Sequence, residues 1–246
     1  MNQPHAEYAR SFGTEAERYD RVRPGYPAAA IDFALAGRSA RHVLDLGAGT
    51  GKLTAGLLGR ADQVSAVEPD EAMLAVLMRN LPSVRALAGG AGEIPLPDNS
   101  VDAVLVGQAF HWFPRPAADH ELARVLRPGG VVGLLWNFPD REVEWVRKVY
   151  DATGSSAPPW SRPEADLDAE LFTPTERANF HWRQEISGED ALLQLASTWS
   201  WVIIQSPVEQ AATADRLRIL RSQYAELQQP QLRIPQRTKV IRQFLR

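Results

Sequence analysis

A glycine-rich turn directly follows an apolar run in the first quarter of the chain. The segment VLDLGAGTGKL spans residues 43–53 and places Asp45 before three glycines at alternate positions. Glycines at the end of a strand let a ligand lie against bare backbone, because they lack a Cβ atom. A turn of this kind predicts a binding site for a phosphate, a nucleotide or a related cofactor, and the spacing of the glycines distinguishes between these ligands.

Two common glycine motifs do not fit this segment. A P-loop has four residues between its first glycine and its Gly-Lys pair, whereas Gly47 and Gly51 are separated by three residues. Leu53 also stands where a P-loop has Ser or Thr. A dinucleotide fingerprint, G-x-G-x-x-G, needs its third glycine where this chain has Lys52. The P-loop is therefore excluded, and a nicotinamide-dependent oxidoreductase stays open as a disfavoured alternative.

The remaining pattern, D-x-G-x-G-x-G, resembles that of the class I S-adenosylmethionine-dependent methyltransferases. Glu68 follows Gly47 by 21 residues, where this family places an acid that accepts hydrogen bonds from the ribose hydroxyls. The stretch GGAGEIPLPDNSVDAVLVGQAFHWF (89–113) is similar to the adenine-side loop and fourth strand of the family. The resemblance covers about residues 40–137 and implies S-adenosylmethionine as the cofactor.

The resemblance also implies which residues bind the cofactor. In the family the turn contacts the amino-acid end of the cofactor, and the acid before the turn lies near the ammonium group. Many members have an acidic or polar side chain near the adenine amino group, whereas this chain has glycines there, so that backbone groups or Glu93 are expected to bind the adenine. The implied cofactor-binding residues are Asp45, Gly47, Ala48, Gly49, Glu68, Pro69, Ala91, Gly92 and Gln108.

The elements around the turn alternate between apolar strands and amphipathic helices. The strands are VLDL, VSAVE, VRALA, VDAVLVG and VVGLLW, and Asp70 is the expected N-cap of the helix EAMLAVLMRN. Near-continuous apolar strands separated by helices indicate a parallel sheet that is covered on both faces. The predicted fold class is therefore α/β, with a doubly wound, Rossmann-like and mostly parallel sheet.

The second half of the chain predicts late strands with inserted helices. The segment FHWRQEI (180–186) alternates like a strand, and two segments, 191–199 and 214–227, have helical periodicity. The final segment is expected to supply a last, antiparallel strand, in which Pro235 favours an edge or bulge position. The expected organisation is an N-terminal lid in residues 1–30, a cofactor-binding core in 31–137, and an acceptor cap with the last strands in 138–246.

The acceptor site is predicted beside the carboxyl ends of the strands and beneath the lid. His111 follows the fourth strand, where open α/β sheets place their ligand crevice, and it is the predicted catalytic residue. The lid sequence FGTEAERYDRVRPGYP (12–27) mixes aromatic residues with arginines, as in segments that close over small ligands. A solvated helix and turn would also explain the charges of this segment, and ordinary core packing would explain the aromatic residues beside His111. The predicted acceptor-binding residues are Tyr19, Arg23, Tyr26, His111 and Trp112.

Composition limits the remaining classes of function. The chain has 246 residues, no cysteine and a formal net charge of -3. Cysteine nucleophiles and disulfides are thereby excluded, and a nucleic-acid partner is not expected from this charge. The histidines show no spacing that predicts a metal site. The polar N-terminus and the lack of long apolar runs predict a cytoplasmic protein, with neither a membrane nor an obligate protein partner expected.

The predicted function is transfer of a methyl group from S-adenosylmethionine to a small molecule. The sequence QAFHWF and the lid are similar to the trans-aconitate methyltransferase-like branch of the family, which implies O-methylation of a carboxylate. A carboxylate is already ionised at neutral pH and needs alignment rather than a base. The alternatives are a nicotinamide-dependent oxidoreductase and a non-catalytic cofactor-binding module.

Overall fold

A computed structural model of the protein describes residues 16–37, 40–154, 166–187 and 191–246. The helices are α1 (Ala16–Val22), α2 (Ala28–Ala34), α3 (Lys52–Leu57), α4 (Glu71–Asn80), α5 (Ala117–Val125), α6 (Glu144–Ala152), α7 (Ala191–Ala196), α8 (Ser200–Ile203) and α9 (Pro207–Gln223). The strands are β1 (Ala40–Leu46), β2 (Ala61–Glu68), β3 (Arg85–Ala88), β4 (Val101–Gly107), β5 (Leu126–Pro139), β6 (Glu176–Ser187) and β7 (Gln231–Phe244). Within the described ranges, no helix is long and apolar enough to cross a membrane.

The seven strands form one sheet in the order β3-β2-β1-β4-β5-β7-β6. The first five strands pair in parallel, whereas β7 runs antiparallel to both β5 and β6. The predicted mostly parallel sheet with an antiparallel last strand is therefore confirmed. The strand order reverses between β1 and β4, and such a reversal opens a ligand crevice at the carboxyl ends of the strands.

The position of β7 differs from the one predicted for it. The strand lies inside the sheet, between β5 and β6, although proline favours an edge or a bulge. Pro235 is accommodated because pairing with β5 begins only at Gln236, so that β7 has β6 alone beside it at the proline. The carbonyl of Pro235 accepts a hydrogen bond from the N–H of Asp140, at 2.9 Å. The prediction of an edge position is therefore wrong for β7 as a whole. It holds for the residues up to Pro235, which pair with β6 alone.

Side chains of the central strands divide between two cores, one on each face of the sheet. Leu44 of β1 packs in the core that contains Leu122 of α5. Val43, its neighbour in the strand, packs in the opposite core with Ile31 of α2 and Leu77 of α4. Successive residues of a strand point to opposite faces, so that this division confirms a sheet covered by helices on both sides.

A third core forms in the second half of the chain, beside β6 and β7. It contains Tyr150 of α6, Trp199, Ile186 of β6 and Ile234 of β7. Val22, at the end of α1, packs into the same core. The end of the predicted lid therefore buries apolar surface together with the C-terminal half of the chain.

Capping groups decide where two of the helices begin. Asp70 is the N-cap of α4, as predicted, and its Oδ1 accepts a hydrogen bond from the N–H of Met73 at 2.9 Å. The helix predicted over 214–227 begins earlier, at Pro207, because Ser206 and Glu209 form a capping box with the proline in the first turn.

Candidate functional site

The glycine-rich turn joins β1 to α3 at the carboxyl edge of the sheet. The N–H groups of Gly47 and Ala48 both donate to the carbonyl of Val67 in β2, at 2.8 and 3.1 Å. Gly47, Gly49 and Gly51 have φ angles of 71°, 57° and 90°. Residues with a Cβ atom rarely adopt these angles, so that the turn depends on its three glycines.

Gly47 and Gly49 are needed for different reasons. A Cβ atom added at Gly47 would lie 2.7 Å from the Cβ of Ala109, so that this glycine makes room for the segment after β4. A Cβ atom added at Gly49 would have the Sδ of Met73 as its nearest neighbour, at 3.7 Å. The space beside Gly49 is therefore open to a ligand, which a side chain would displace.

Glu68, the last residue of β2, holds the turn in position. Its Oε2 accepts a hydrogen bond from the N–H of Gly49 at 2.8 Å, and its Oε1 accepts one from the N–H of Asp70 at 2.9 Å. Burial raises the pKa of this carboxyl, against the effect of the two backbone hydrogen bonds. Each carboxylate oxygen can accept a further hydrogen bond, so that Glu68 can bind two ribose hydroxyls while it orients Gly49.

Asp45 contributes a fully buried carboxylate with one unsatisfied oxygen. The hydroxyl of Thr54 donates to Oδ2 at 2.5 Å, whereas Oδ1 has no hydrogen-bond partner in the described part of the chain. Burial raises the pKa of Asp45 to about 7, opposed by the Thr54 hydrogen bond and reinforced by the charge of Glu68. A buried carboxylate oxygen without a partner is costly, and an ammonium group would satisfy it. Asp45 and the open space at Gly49 therefore fit the methionine end of S-adenosylmethionine.

A cavity of about 710 Å³, counted with its open mouth, lies beside the turn. Four of the nine predicted cofactor-binding residues, Glu68, Pro69, Ala91 and Gly92, are not part of its wall. Glu68 contacts the wall through the N–H of Gly49, and the cofactor-binding roles of all four residues remain predictions. The predicted cofactor-binding residues that line the cavity are Asp45, Gly47, Ala48, Gly49 and Gln108.

Gln108 connects the ends of two neighbouring strands at the cavity wall. Its φ angle is 59°, which is unusual for a residue with a side chain and is typical of strained positions at functional sites. The side-chain Nε2 donates to the carbonyl of Asn137 at 2.8 Å. Asn137 in turn donates through Nδ2 to the carbonyl of Gly25, at 2.9 Å. These bonds join β4, β5 and the predicted lid segment around one opening.

Two of the predicted acceptor-binding residues, Arg23 and Tyr26, line the cavity together with the turn. Arg23 donates from Nη2 to the carbonyl of Thr198 at 2.8 Å, which fixes its guanidinium against the C-terminal half. The hydroxyl of Tyr26 lies directly over Gly107, where an added Cβ atom would be 2.6 Å from it. The predicted lid segment therefore contacts the cavity wall both at the end of β4 and in the C-terminal half.

The other predicted acceptor-binding residues lie elsewhere. The rings of His111 and Trp112 contact each other in a tilted arrangement, with centroids 4.6 Å apart and planes at 46°, and neither residue lines the cavity. His111 is exposed, whereas Phe110 before it is buried. Tyr19 lies in α1, but its side chain is outside the described part of the structure. The catalytic role of His111 therefore remains a prediction from sequence position.

The C-terminal half supplies cavity residues that the sequence did not indicate. A chain of buried amides crosses the wall, because Gln236 donates from Nε2 to Oε1 of Gln184 at 2.9 Å. Gln184 donates from Nε2 to the carbonyl of Val22 at 2.7 Å. The only available signal was the alternation of FHWRQEI, which places Gln184 on the buried side of β6. The unpredicted cavity residues of this half include Tyr150, Gln184, Leu195, Trp199 and Gln236.

Comparisons with known proteins agree with the geometry of the turn. Residues 44–134 match the sequence profile of a methyltransferase domain. An uncharacterized methyltransferase of Mycobacterium tuberculosis is 45% identical over 217 residues, which are 88% of this chain and 88% of the relative. A malonyl-[acyl-carrier protein] O-methyltransferase of Halorhodospira halophila is 37% identical over 164 residues, which are 60% of this chain and 53% of the relative.

A solved structure from Anaeromyxobacter dehalogenans, provisionally classed as a type II methyltransferase, has a TM-score of 0.58 and 27% identity to this chain. The match covers 90% of this chain and 97% of that structure. Methyl transfer with S-adenosylmethionine as the donor is therefore confirmed, in preference to the nicotinamide alternative. The chain belongs to the class I S-adenosylmethionine-dependent methyltransferases.

Proposed function

We propose that this methyltransferase transfers the methyl group to a carboxylate oxygen of a small molecule. The observation that carries the proposal is the chemistry of the cavity wall beyond the turn. That part of the wall presents the guanidinium of Arg23, the hydroxyl of Tyr150 and the amides of two buried glutamines. Among the described residues of the lining, Asp45 is the only acid, and it faces the cofactor end. A cationic group with neutral hydrogen-bond donors favours an anionic acceptor.

The turn and the neighbouring Glu68 would bind different parts of S-adenosylmethionine. Asp45 would bind the ammonium group, the bare backbone at Gly49 would contact the methionine chain, and Glu68 would accept hydrogen bonds from the ribose. When bound, the cofactor supplies an electrophilic methyl group on a sulfonium. The remaining task of the chain is to exclude water from the acceptor oxygen and align it, which can lower a barrier by ~7 to 11 kcal/mol.

A carboxylate acceptor matches a site in which alignment is the main requirement. A carboxyl with a pKa of about 4 is ionised at neutral pH and needs no general base. A hydroxyl acceptor would need one, and the predicted candidate, His111, is exposed and outside the cavity wall. We retain His111 and Trp112 as predicted contacts of secondary importance, and residues 1–30 as the predicted lid.

The relatives support an oxygen acceptor. The Halorhodospira protein is named as an O-methyltransferase of malonyl-[acyl-carrier protein]. The similarity of QAFHWF to the trans-aconitate methyltransferase-like branch is a second argument for a small carboxylate. We therefore favour a small, free acid that enters beside Arg23.

The test is incubation with S-adenosylmethionine that carries an isotopically labelled methyl group, together with a metabolite extract, followed by mass detection of labelled products. We expect a methyl ester, which mild alkali hydrolyses with release of labelled methanol. The Gly49→Val variant, which lacks the open surface of the turn, serves as the inactive control. A labelled product that resists alkali, such as an ether or an N-methyl compound, would contradict the carboxylate proposal.

A further inference from the structure

Tyr150 of α6 presents a buried phenol to the cavity that also holds Gly49 and Arg23. Only 7% of the residue is exposed. Its ring stacks on Trp199, with centroids 4.3 Å apart and planes 27° from parallel, and lies 5.8 Å from the ring of Trp201. These contacts fix the direction of the side chain, and they would be made equally well by phenylalanine.

The hydroxyl of Tyr150 has no use in the packing of the protein. It makes no hydrogen bond to any residue in the described ranges. The oxygen is not among the fully buried side-chain atoms that lack a partner in the described ranges, so it is open to the cavity and not sealed in the core. A tyrosine hydroxyl in largely apolar surroundings normally has a hydrogen-bond partner. A hydroxyl that faces a cavity and bonds to no described residue can donate to a ligand that enters the cavity.

The surroundings of the hydroxyl define what that ligand presents. Burial raises the pKa of Tyr150 well above its ordinary value, with the guanidinium groups of Arg23 and Arg141 acting in the opposite direction. The phenol therefore keeps its proton at neutral pH and can donate a hydrogen bond. A donor near a guanidinium suits an acceptor oxygen that carries negative charge.

We propose that Tyr150 selects and orients the methyl acceptor by donating a hydrogen bond to its anionic group, beside the guanidinium of Arg23. The assignment rests on the proposed carboxylate acceptor and adds the residue that recognises it. In this proposal the acceptor is recognised mainly by α6 and by the ring pair of Tyr150 and Trp199, and not by the predicted contacts that follow β4.

The test is Tyr150→Phe, which removes the hydroxyl and keeps the ring that stacks on Trp199. The control is Tyr224→Phe, a half-buried tyrosine that does not line the cavity. Steady-state kinetics use the ester-forming acceptor from the extract experiment, and binding is titrated with acetate, succinate and trans-aconitate in the presence of S-adenosylhomocysteine. We expect the acceptor KM of Tyr150→Phe to rise about 10- to 100-fold, as for a lost hydrogen bond to a charged group. Its kcat and its S-adenosylmethionine affinity should stay within about twofold of wild type, and its thermal midpoint should match that of wild type. The control should match wild type in every parameter.

The outcomes separate this assignment from the function on which it rests. If the wild-type protein forms a methyl ester but Tyr150→Phe keeps the wild-type acceptor KM, the assignment to Tyr150 is overturned and the carboxylate proposal stands. If KM rises only together with a large loss of stability or of cofactor affinity, Tyr150 is a packing residue and the assignment is again overturned. If the wild-type product is methylated on an uncharged hydroxyl or amine, and no carboxylate binds, both proposals fail.

Discussion

Two regions of the cavity wall are held in place by different kinds of contact: the proposed cofactor end around Asp45 and Gly49, and the proposed acceptor end around Arg23 and Gln184. At the cofactor end, Glu68 binds the N–H groups of Gly49 and Asp70, which are 19 and 2 residues away in the sequence. At the acceptor end, Gln184 binds the carbonyl of Val22 across 162 residues. Backbone groups of neighbouring strands thus build one end, and side chains that meet only in the folded chain build the other.

The two ends also differ in charge. Two buried acids, Asp45 and Glu68, stand at the cofactor end, and burial raises the pKa of each. The acceptor end presents Arg23 and neutral donors. This asymmetry suits a cationic cofactor at one end and an anionic acceptor at the other. Substitutions at the two ends should therefore have separable effects.

The largest effect is expected at the cofactor end, from Gly49→Val. The branched side chain would fill the open space beside the turn and is strained at a φ angle of 57°. We expect calorimetric titration to detect no binding of S-adenosylmethionine. The matched control is Gly59→Val, because Gly59 has a φ angle of 79° and no neighbour within 4 Å of an added Cβ atom. If Gly59→Val loses as much stability and as much S-adenosylmethionine binding as Gly49→Val does, the result contradicts a cofactor role for Gly49.

A substitution at the acceptor end should reduce stability and leave the cofactor site intact. Gln184→Leu leaves the carbonyl of Val22 and the amide of Gln236 without their partner. At about 1 to 3 kcal/mol for each unsatisfied group, we expect the free energy of unfolding in urea to fall by about 2 to 4 kcal/mol. Gln231→Leu is the control, since among the described residues that exposed amide bonds to Glu185 alone, at the surface. A loss of S-adenosylmethionine affinity that parallels the loss of stability would show that the two ends are not separable.

The charge of Asp45 predicts how cofactor affinity depends on pH. Its pKa is raised from 3.8 to about 7, so that the unfolded chain loses this proton at a lower pH than the folded protein does. The folding stability of the cofactor-free protein therefore falls as pH rises from about 4 to 7. An ammonium group favours the ionised carboxylate, and affinity should therefore rise with pH. We expect the Kd for S-adenosylmethionine to be about tenfold higher at pH 6 than at pH 8. Asp45→Asn should bind more weakly and show a flat profile, and a persisting slope would assign the titration to another group.

The smallest effect is expected from His111→Ala, outside the cavity wall. A general base contributes about 10²- to 10⁴-fold to a rate, whereas a carboxylate acceptor requires none. We expect kcat, measured at saturating S-adenosylmethionine, to fall by less than about tenfold and not to rise between pH 6 and 8. His120→Ala, at another exposed histidine, is the control. A larger fall, with a histidine-like pH profile that the substitution abolishes, would favour a hydroxyl or amine acceptor.

Short-range spacing in the sequence determined the fold class and the geometry of the glycine turn at the proposed cofactor end. The order of strands and helices, the Asp70 cap and the glycine turn each depend on residues that are close in the chain or on successive strands. Such features are specified locally, because backbone angles and caps respond to neighbouring residues. The interior position of β7 was not specified in this way, because it depends on the pairing of β7 with β5 and β6, which are distant from it in the sequence.

Only the tertiary structure decided which residues line the proposed acceptor end. The position after β4 is at the correct edge of the sheet, but a short 3₁₀ helix over Phe110–Trp112 buries Phe110 and leaves His111 exposed. Tyr150 and Gln184 come from α6 and β6, where no motif marks them. Their roles arise from packing against Trp199 and Val22, and contacts between residues so far apart in sequence leave no pattern in either segment alone.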